Sequence, residues 1–150
     1  HEYPQLGAVL PVQHVSEVLA DIAPPAAAGN AHPWDGKRIT FHDSCFLGRY
    51  NGIYDAPRRV LENAGVNVVE LARRRADSFC CGGGGGGMWM ETEPETRISL
   101  RRLEDVLAVN ADVVATACPY CLIMLDDAVR TRGLADRLQV KDISEILAQR

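Results

Sequence analysis

The stretch VVATACPYCLIMLDDAVRTRG, residues 113–133, decides the fold because it joins a buried strand to a helix. Residues 113–116 are largely apolar on both faces, which is typical of a strand in a parallel sheet that is covered on both sides. Residues 122–132 then have helical spacing and end at Gly133, a common residue just beyond a helix. A strand that feeds a helix in this way predicts an α/β fold.

The same alternation runs outward from this stretch in both directions. Short β-rich runs predict further strands at 38–41, 66–71 and 138–140. Helical spacing predicts helices at 54–64, 95–109 and 143–148. Together these elements predict a Rossmann-like parallel sheet of about four strands with helices on both faces.

Length and composition restrict the class of protein. A chain of 150 residues with 47% hydrophobic and 24% charged residues suits one globular domain, and it is neither disordered nor a coiled coil. Its net charge of −4 argues against nucleic acid or an anionic membrane surface as the partner. The most apolar run, 113–125, is too short to span a bilayer and contains Pro119. We therefore expect no membrane contact by this segment itself.

The chain divides into a lead-in segment, residues 1–36, and one domain, residues 37–150. The lead-in has a helical pattern at 15–22 and then a stretch rich in Ala, Gly and Pro that predicts a loop. The first residue is His1 rather than Met, and neither a basic region nor an apolar signal core follows it. We interpret this start as a cut inside a longer protein.

Five cysteines are the unusual feature of the composition: Cys45, Cys80, Cys81, Cys118 and Cys121. A disulfide framework uses an even number of cysteines, and a bridge between two adjacent residues would be strained. Thiols kept as ligands in a reducing compartment are the better interpretation. This predicts a cytoplasmic location, at the cytoplasmic face of a membrane if missing segments anchor the chain there.

All five cysteines follow predicted strands. Because the carboxyl ends of parallel strands share one edge of a sheet, we expect the thiols to converge there. Several thiolates in one place need a cation, and soft sulfur ligands select zinc or iron–sulfur clusters. Free amides at the start of the helix after Cys118 would also favour thiolate and cluster sulfide.

Six glycines, residues 82–87, come directly after the paired cysteines. Backbone without Cβ atoms can lie against a bulky cluster, and its successive amides can form an anion-binding nest. Gly82 and Gly83 are therefore candidate cofactor-binding residues. A phosphate cradle and a plain flexible loop are the alternatives, although no Gly-Lys-Ser/Thr ending follows the glycines.

The spacing of the cysteines resembles that of the cysteine-rich CCG domain. Cys45 is followed after 34 residues by Cys80-Cys81, and these after 36 residues by Cys118-Pro119-Tyr120-Cys121. The CCG domain occurs in heterodisulfide reductase subunits and in related iron–sulfur oxidoreductases such as the iron–sulfur subunit of glycolate oxidase. The resemblance covers residues 37–150.

Flanking motifs narrow the resemblance. HDSCFLGR at 42–49 looks like the family's His-Asp-Pro-Cys-Tyr-Leu-Gly-Arg, with Ser44 where proline is common. NGIYDAPR at 51–58 and MWME at 88–91 are similar to the branch linked to electron-transferring flavoproteins. Gly87 stands where that branch suggests an arginine. The chain would be the C-terminal, second module of such a protein.

The resemblance implies an iron–sulfur electron-transfer module. The five cysteines would hold a 4Fe-4S cluster, which is noncubane in some members. Electrons would pass between an electron-transferring flavoprotein, or another flavin or iron–sulfur subunit, and a disulfide or quinone acceptor. The alternative is a zinc-binding structural or assembly domain without redox activity, since four of the cysteines suffice for tetrahedral zinc.

Charged residues near the cysteines have weaker interpretations. Arg49, which follows Gly48 close to Cys45, is a candidate to contact the cofactor or its ligands. His42 is expected to be a hydrogen-bonded residue at the strand end or a proton donor. Residues 73–75, Arg-Arg-Arg, are either a docking patch for an acidic flavoprotein or a solvated loop.

Overall fold

The centre of the fold is a three-stranded parallel sheet. The computed structural model describes residues 3–26 and 33–149. Its strands are β1 (Ile39–His42), β2 (Val113–Thr116) and β3 (Gln139–Asp142), in the order β1-β2-β3. Val113 lies opposite Ile39 on one side and Gln139 on the other. The strand that decides the fold in the sequence is therefore the central strand of the sheet.

Five α-helices surround this sheet in the described residues. They are α1 (Val15–Ile22), α2 (Asp55–Asn63), α3 (Ile98–Ala108), α4 (Pro119–Thr131) and α5 (Ile143–Ala148). A π-helical turn, Phe46–Tyr50, follows β1, and short 3₁₀ turns lie at Tyr3–Leu6, Arg75–Asp77 and Gly87–Trp89. No helix of the described residues has the length and apolar character that a bilayer-spanning segment needs.

The alternating side chains of β2 enter two separate cores. Val113 and Ala115 belong to a cluster with residues of α2 and α5 such as Leu61 and Ile146. Val114 points the other way, into a cluster with residues of α3 and α4 such as Leu103 and Leu125. Because successive residues of a strand face opposite sides, both faces of the sheet are covered. The predicted α/β architecture with helices on both faces is confirmed.

The sheet has three strands rather than about four, because the predicted strand at 66–71 does not form. Val68 makes one isolated parallel bridge to Ile39, and the Val69 amide donates to the Ile39 carbonyl at 2.8 Å. The chain then leaves the ladder. Glu70 pairs with Arg58, and Leu71 enters the core that α3 and α4 share. Tertiary contacts of these two side chains therefore override the β propensity of the segment.

Helix α4 begins at Pro119, three residues before the predicted start at 122. Proline suits this first position because its fixed φ matches the helix and its missing N–H would have no partner there. Helix α3 begins at Ile98, inside the range predicted from 95. Helix α4 starts between Cys118 and Cys121, and a Cβ on Gly82 would lie 3.0 Å from Cβ of Ile98 at the start of α3, so both N-termini border the candidate site.

The lead-in is tied to the domain at the end of α1. The Asn63 side-chain amide donates to the carbonyls of Ala20 and Ala23 at 3.2 and 2.9 Å. His14 begins α1 with a capping box, in which its ring accepts from the Ser16 amide while Glu17 accepts from the His14 amide. The predicted loop after Pro25 lies largely outside the described residues, and the domain boundary at residue 36 stays a prediction.

Candidate metal centre

Three segments carry the five cysteines to one edge of the sheet. Cys45 follows β1 and starts the π-helical turn, while Cys118 follows β2 and caps the N-terminus of α4. Cys121 lies in the first turn of α4. Cys80 and Cys81 lie on the loop between residues 78 and 87, and all five thiols are free. The structure therefore brings together the residues that the sequence proposes as ligands; that they bind a metal stays a prediction.

Four of the five cysteines line an open pocket of about 560 Å³. Cys80 lies beside it, where its thiol hydrogen-bonds to the sulfur of Cys81. The wall of the pocket is largely apolar or glycine, and its residues are Ser44, Cys45, Phe46, Cys81, Gly83, Gly84, Gly85, Gly86, Met88, Trp89, Cys118, Pro119, Tyr120 and Cys121. A pocket of this kind has room for a group larger than a single ion.

The start of α4 makes Cys118 acidic. Its pKa is lowered to about 6, first because the Cys121 thiol donates to its sulfur and then because the amides of Cys121 and Tyr120 do the same. Burial opposes this shift but does not cancel it. A helix N-terminus presents such free amides and favours negative charge. Cys118 is therefore prepared to bind a cation as thiolate.

The remaining thiols share their protons unequally. The pKa of Cys81 is held well below its usual value because the thiols of Cys121 and Cys80 donate to its sulfur. The pKa values of Cys80 and Cys121 are raised, because each thiol serves as donor to a neighbouring sulfur. Without a cation these sulfurs cannot all ionise together. The donor set thus fits a metal centre, since metal binding needs thiolates.

The first two glycines direct their amides at the paired cysteines. The Gly82 amide donates to Cys80 Sγ at 3.3 Å, and the Gly83 amide donates to Cys81. Gly82 has a φ of +87°, which a residue with a side chain rarely adopts. A Cβ on Gly83 would lie 3.0 Å from Met124 Cγ and 3.7 Å from Cys81 Sγ. The positive φ requires glycine at residue 82, and at residue 83 a larger residue would crowd Met124.

Gly87 occupies the position at which the family pattern suggests an arginine. A Cβ at Gly87 would overlap the carbonyl oxygen of Gly82, because the two ends of the glycine run lie against each other. Gly84 between them faces open space. An arginine at residue 87 is thus incompatible with this loop conformation.

Arg49 is exposed and does not line the pocket. Its Nη1 donates to the Ser78 carbonyl at 2.7 Å, and the Ser78 hydroxyl donates to the Asp43 carbonyl at 3.0 Å. These contacts hold the start of the cysteine loop against the end of β1. In this structure Arg49 positions the cysteine loop, and its contact with a cofactor stays a prediction.

Two buried arginines support the site. Neither is among the candidate site residues proposed from the sequence, although Arg58 ends the NGIYDAPR motif. Arg58 pairs with Asp43 and Glu70, and Arg102 donates to His42. The sequence does contain a pattern from which the burial of Arg102 could have been predicted. Ser99, Arg102, Leu103 and Val106 have the spacing of one helix face, and all four are buried. An arginine inside such a stripe indicates a buried charge with a partner.

The three arginine side chains of residues 73–75 form ion pairs or hydrogen bonds within the chain. Arg73 pairs with Asp105 at 2.9 Å, Arg75 pairs with Asp55 at 2.6 Å, and Arg74 donates to the Leu71 carbonyl at 3.2 Å. Arg73 and Arg75 remain half exposed. These contacts favour the interpretation as a solvated loop over a dedicated docking patch.

Exposed aromatic side chains surround the mouth of the pocket. Phe46, Trp89 and Tyr120 all line it and remain largely exposed, with Trp89 at 82%. Met88 instead is partly buried and packs on the cluster of Cys81, Cys121 and Met124. Met88 therefore covers the inner wall of the site, and the aromatic residues form its rim.

Comparison with known proteins agrees with this arrangement. Residues 39–126 match the family described as CCG, cysteine-rich domain. The chain is 46% identical over 150 residues to a probable iron–sulfur-binding oxidoreductase, FadF, of Bacillus subtilis, covering 99% of this chain and 21% of that protein. It is 40% identical to the EtfAB:quinone oxidoreductase of Syntrophomonas wolfei, covering 98% of this chain and 21% of that protein.

A third relative comes from Methanosarcina barkeri. It is a component of the dihydromethanophenazine:CoB–CoM heterodisulfide reductase and is 36% identical, over 96% of this chain and 35% of that relative. The chain thus spans about a fifth to a third of the length of these relatives.

Proposed function

This chain belongs to the family of the cysteine-rich CCG domain, and we propose that it is an electron-transfer module that binds a 4Fe-4S cluster through Cys45, Cys80, Cys81, Cys118 and Cys121. The observation that carries the proposal is the convergence of five free thiols, four of which line one glycine-walled pocket. The iron–sulfur oxidoreductases among its relatives support it.

The shape of the site favours a cluster over a structural zinc ion. Structural zinc is held by four ligands in a closed tetrahedral site. Here a fifth thiol is present, and the pocket of about 560 Å³ is open to solvent. One arrangement favours the alternative: a ring nitrogen of His42 and the sulfurs of Cys81 and Cys121 all lie within 4.8 Å of one another. A zinc-binding assembly domain is therefore the second candidate.

When bound, the cluster supplies one-electron chemistry, and the residues around it tune and shield it. The amides of Gly82, Gly83 and the first turn of α4 donate to the ligand sulfurs. Such hydrogen bonds stabilise the more negative, reduced state. Met88 excludes water from the inner wall. No proton-transfer group is needed for this role.

The partner is proposed from the rim and the relatives. The exposed aromatic rim gives a partner an apolar surface close to the cysteines, across which an electron can pass. We propose a flavoprotein or an iron–sulfur subunit as that partner, and a disulfide or a quinone as the electron acceptor. The names EtfAB:quinone oxidoreductase and heterodisulfide reductase support these two acceptor classes. We place the module on the cytoplasmic side.

Metal analysis tests the cofactor. The chain is purified without oxygen, reconstituted with iron and sulfide, and analysed for iron, zinc and acid-labile sulfide together with visible and EPR spectra. We expect about four iron and about four sulfide per chain. One equivalent of zinc and no iron after reconstitution would instead establish the zinc domain.

Serine variants test the ligand set. Cys81→Ser and Cys80→Ser should each change the EPR spectrum, because each removes a ligand sulfur. Ser99→Ala is the control, since Ser99 is fully buried, its hydroxyl has no hydrogen-bond partner among the described residues, and it does not line the pocket. An unchanged spectrum in Cys81→Ser would exclude the five-cysteine set.

A further inference from the structure

His42 is a buried polar residue that the electron-transfer role does not itself require. It ends β1 and is 1% exposed. Its Nδ1 lies 3.0 Å from Nε of Arg102. Its Nε2 is buried and has no hydrogen-bond partner of normal geometry among the described residues. One of its ring nitrogens lies within 4.8 Å of the sulfurs of Cys81 and Cys121.

Arg102 is fixed in place on the other side of the ring. It is fully buried, and Nη1 donates to Asp105 at 2.7 Å and to the Arg73 carbonyl at 3.0 Å. Nη2 lies 3.4 Å from the Ser78 hydroxyl. A guanidinium has five N–H donors and no acceptor. The Nδ1 atom of His42 must therefore accept the Nε–H of Arg102, which leaves no room for a proton on Nδ1.

A neutral imidazole carries one proton, so the proton of His42 must be on Nε2. Resting on the proposed function, we propose that His42 is a fixed N–H donor to the ligand sulfur of Cys81, held in this tautomer by Arg102, and that it is neither a metal ligand nor a proton donor. His42 is thus a positioning residue that acts on the centre through Cys81.

The hydrogen bond from Arg102 argues against His42 as a metal ligand. Binding a metal through Nε2 needs a free lone pair there, which moves the ring proton to Nδ1. That proton would then point at the Nε–H of Arg102. A zinc site that uses His42 together with Cys81 and Cys121 meets this conflict.

The same hydrogen bond argues against His42 as a proton donor. A doubly protonated ring would also place a hydrogen on Nδ1, against a guanidinium that is already positive. The Cys81 side chain is the hydrogen-bonding neighbour on the other side of the ring. A neutral His42 that gave up its Nε2 proton would become an anion in a buried site. The ring therefore keeps that proton as a permanent hydrogen-bond donor.

A first experiment reads the tautomer without requiring iron. Long-range ¹H–¹⁵N NMR spectra are recorded on the chain with ¹⁵N-labelled histidine, both metal-free under reducing conditions and loaded with zinc. His42→Gln identifies the His42 signals by their loss. We expect an unprotonated Nδ1 and a protonated Nε2 in both samples. A protonated Nδ1, or a metal-bound Nε2 in the zinc sample, would overturn the proposal.

A second experiment measures the reduction potential of the reconstituted chain. Phenylalanine in His42→Phe cannot donate, so the potential should shift to a lower value because the reduced cluster loses a hydrogen bond. The amide of His42→Gln can donate from close to the Nε2 position and should restore the wild-type potential. Equal shifts in both variants, or none in His42→Phe, would contradict the inference.

Thr40→Val is the matched control for packing. Thr40 lies two residues before His42 on the same face of β1, is fully buried, and its hydroxyl has no partner among the described residues. The reduction potential of Thr40→Val should equal that of the wild type.

If His42→Phe does not fold, Arg102→Met replaces it. Asp105 keeps its pair with Arg73, but no N–H donor remains at residue 102 to face Nδ1 of His42, so the NMR spectra should show both tautomers. Retention of the single Nε2–H form in Arg102→Met would refute the role of Arg102. Failure of the wild type to bind iron would refute the proposed function and leave the NMR result decisive for His42.

Discussion

The guanidinium of Arg58 donates to both carboxylate oxygens of Asp43, from Nη1 at 2.8 Å and from Nη2 at 3.0 Å. Both side chains are more than nine-tenths buried. Arg58 also pairs with Glu70, and Asp43 also accepts the Arg75 amide. Burial alone would raise the pKa of Asp43, but the hydrogen bonds from Arg58 and Arg75 hold it below its usual value. The ion pair fastens the segment before Cys45 to α2. The contacts with Glu70 and Arg75 fasten the same segment to the chain that leads into the cysteine loop, residues 78–87.

Arg58→Met should destabilise the chain by about 3–5 kcal/mol, because it leaves Asp43 buried without its cation. Urea unfolding of the metal-free chain measures the change. Arg59→Met is the control on the next residue: Arg59 lies 3.8 Å from Asp21, both are mostly exposed, and its loss should cost about 1 kcal/mol or less. Equal losses for the two variants would show that the buried pair contributes nothing specific.

Gly87→Ala should disturb the glycine loop, whereas Gly84→Ala should not. A Cβ at Gly87 overlaps the Gly82 carbonyl, so the loop must open at a cost of about 1–3 kcal/mol. The same methyl on Gly84 meets open space. Urea unfolding of the metal-free chain measures the change: the free energy of unfolding should fall by that amount in Gly87→Ala and stay at the wild-type level in Gly84→Ala. The prediction fails if both variants unfold alike.

Removal of the metal should loosen the cysteine loop but leave the fold. The two large apolar clusters contain no cysteine, and Cys81 and Cys121 belong to a separate small cluster. We expect an unchanged far-UV circular dichroism spectrum and several-fold faster chymotrypsin cleavage at Phe79 and Trp89. Cleavage after Leu6, which is exposed and belongs to the lead-in, should not change. Loss of the dichroism signal on chelation would mean that the metal holds the whole domain together.

Asn63→Ala tests whether the lead-in is held by the domain. The variant removes both hydrogen bonds to the end of α1 and should cost about 1–2 kcal/mol. Amides of α1 should also exchange with solvent faster. Glu62→Ala changes the neighbouring exposed residue and serves as the control. Unchanged exchange in Asn63→Ala would assign the attachment of α1 to its apolar contacts instead.

The sequence alone determined the architecture and the place of the thiols. The apolar run at Val113–Thr116 predicts a strand covered on both faces, and it is the central strand. Cys45 and Cys118 follow strands that lie side by side, so their convergence follows from the topology of any parallel sheet. These features depend on local periodicity and on a general rule of connection, and both can be read without coordinates.

The tertiary structure alone decided how the site is held. The segment at 66–71 does not form a strand because Glu70 pairs with Arg58 and Leu71 packs in the core that α3 and α4 share. His42 received its tautomer from Arg102, a residue 60 positions away in the chain. Buried charges and buried ring nitrogens must be satisfied by specific atoms, and folding brings those atoms from elements that are distant in sequence. Periodicity therefore predicts where a cysteine lies in the fold. The hydrogen-bond partners that set its chemistry are known only from the tertiary structure, because they come from elements that are distant in sequence.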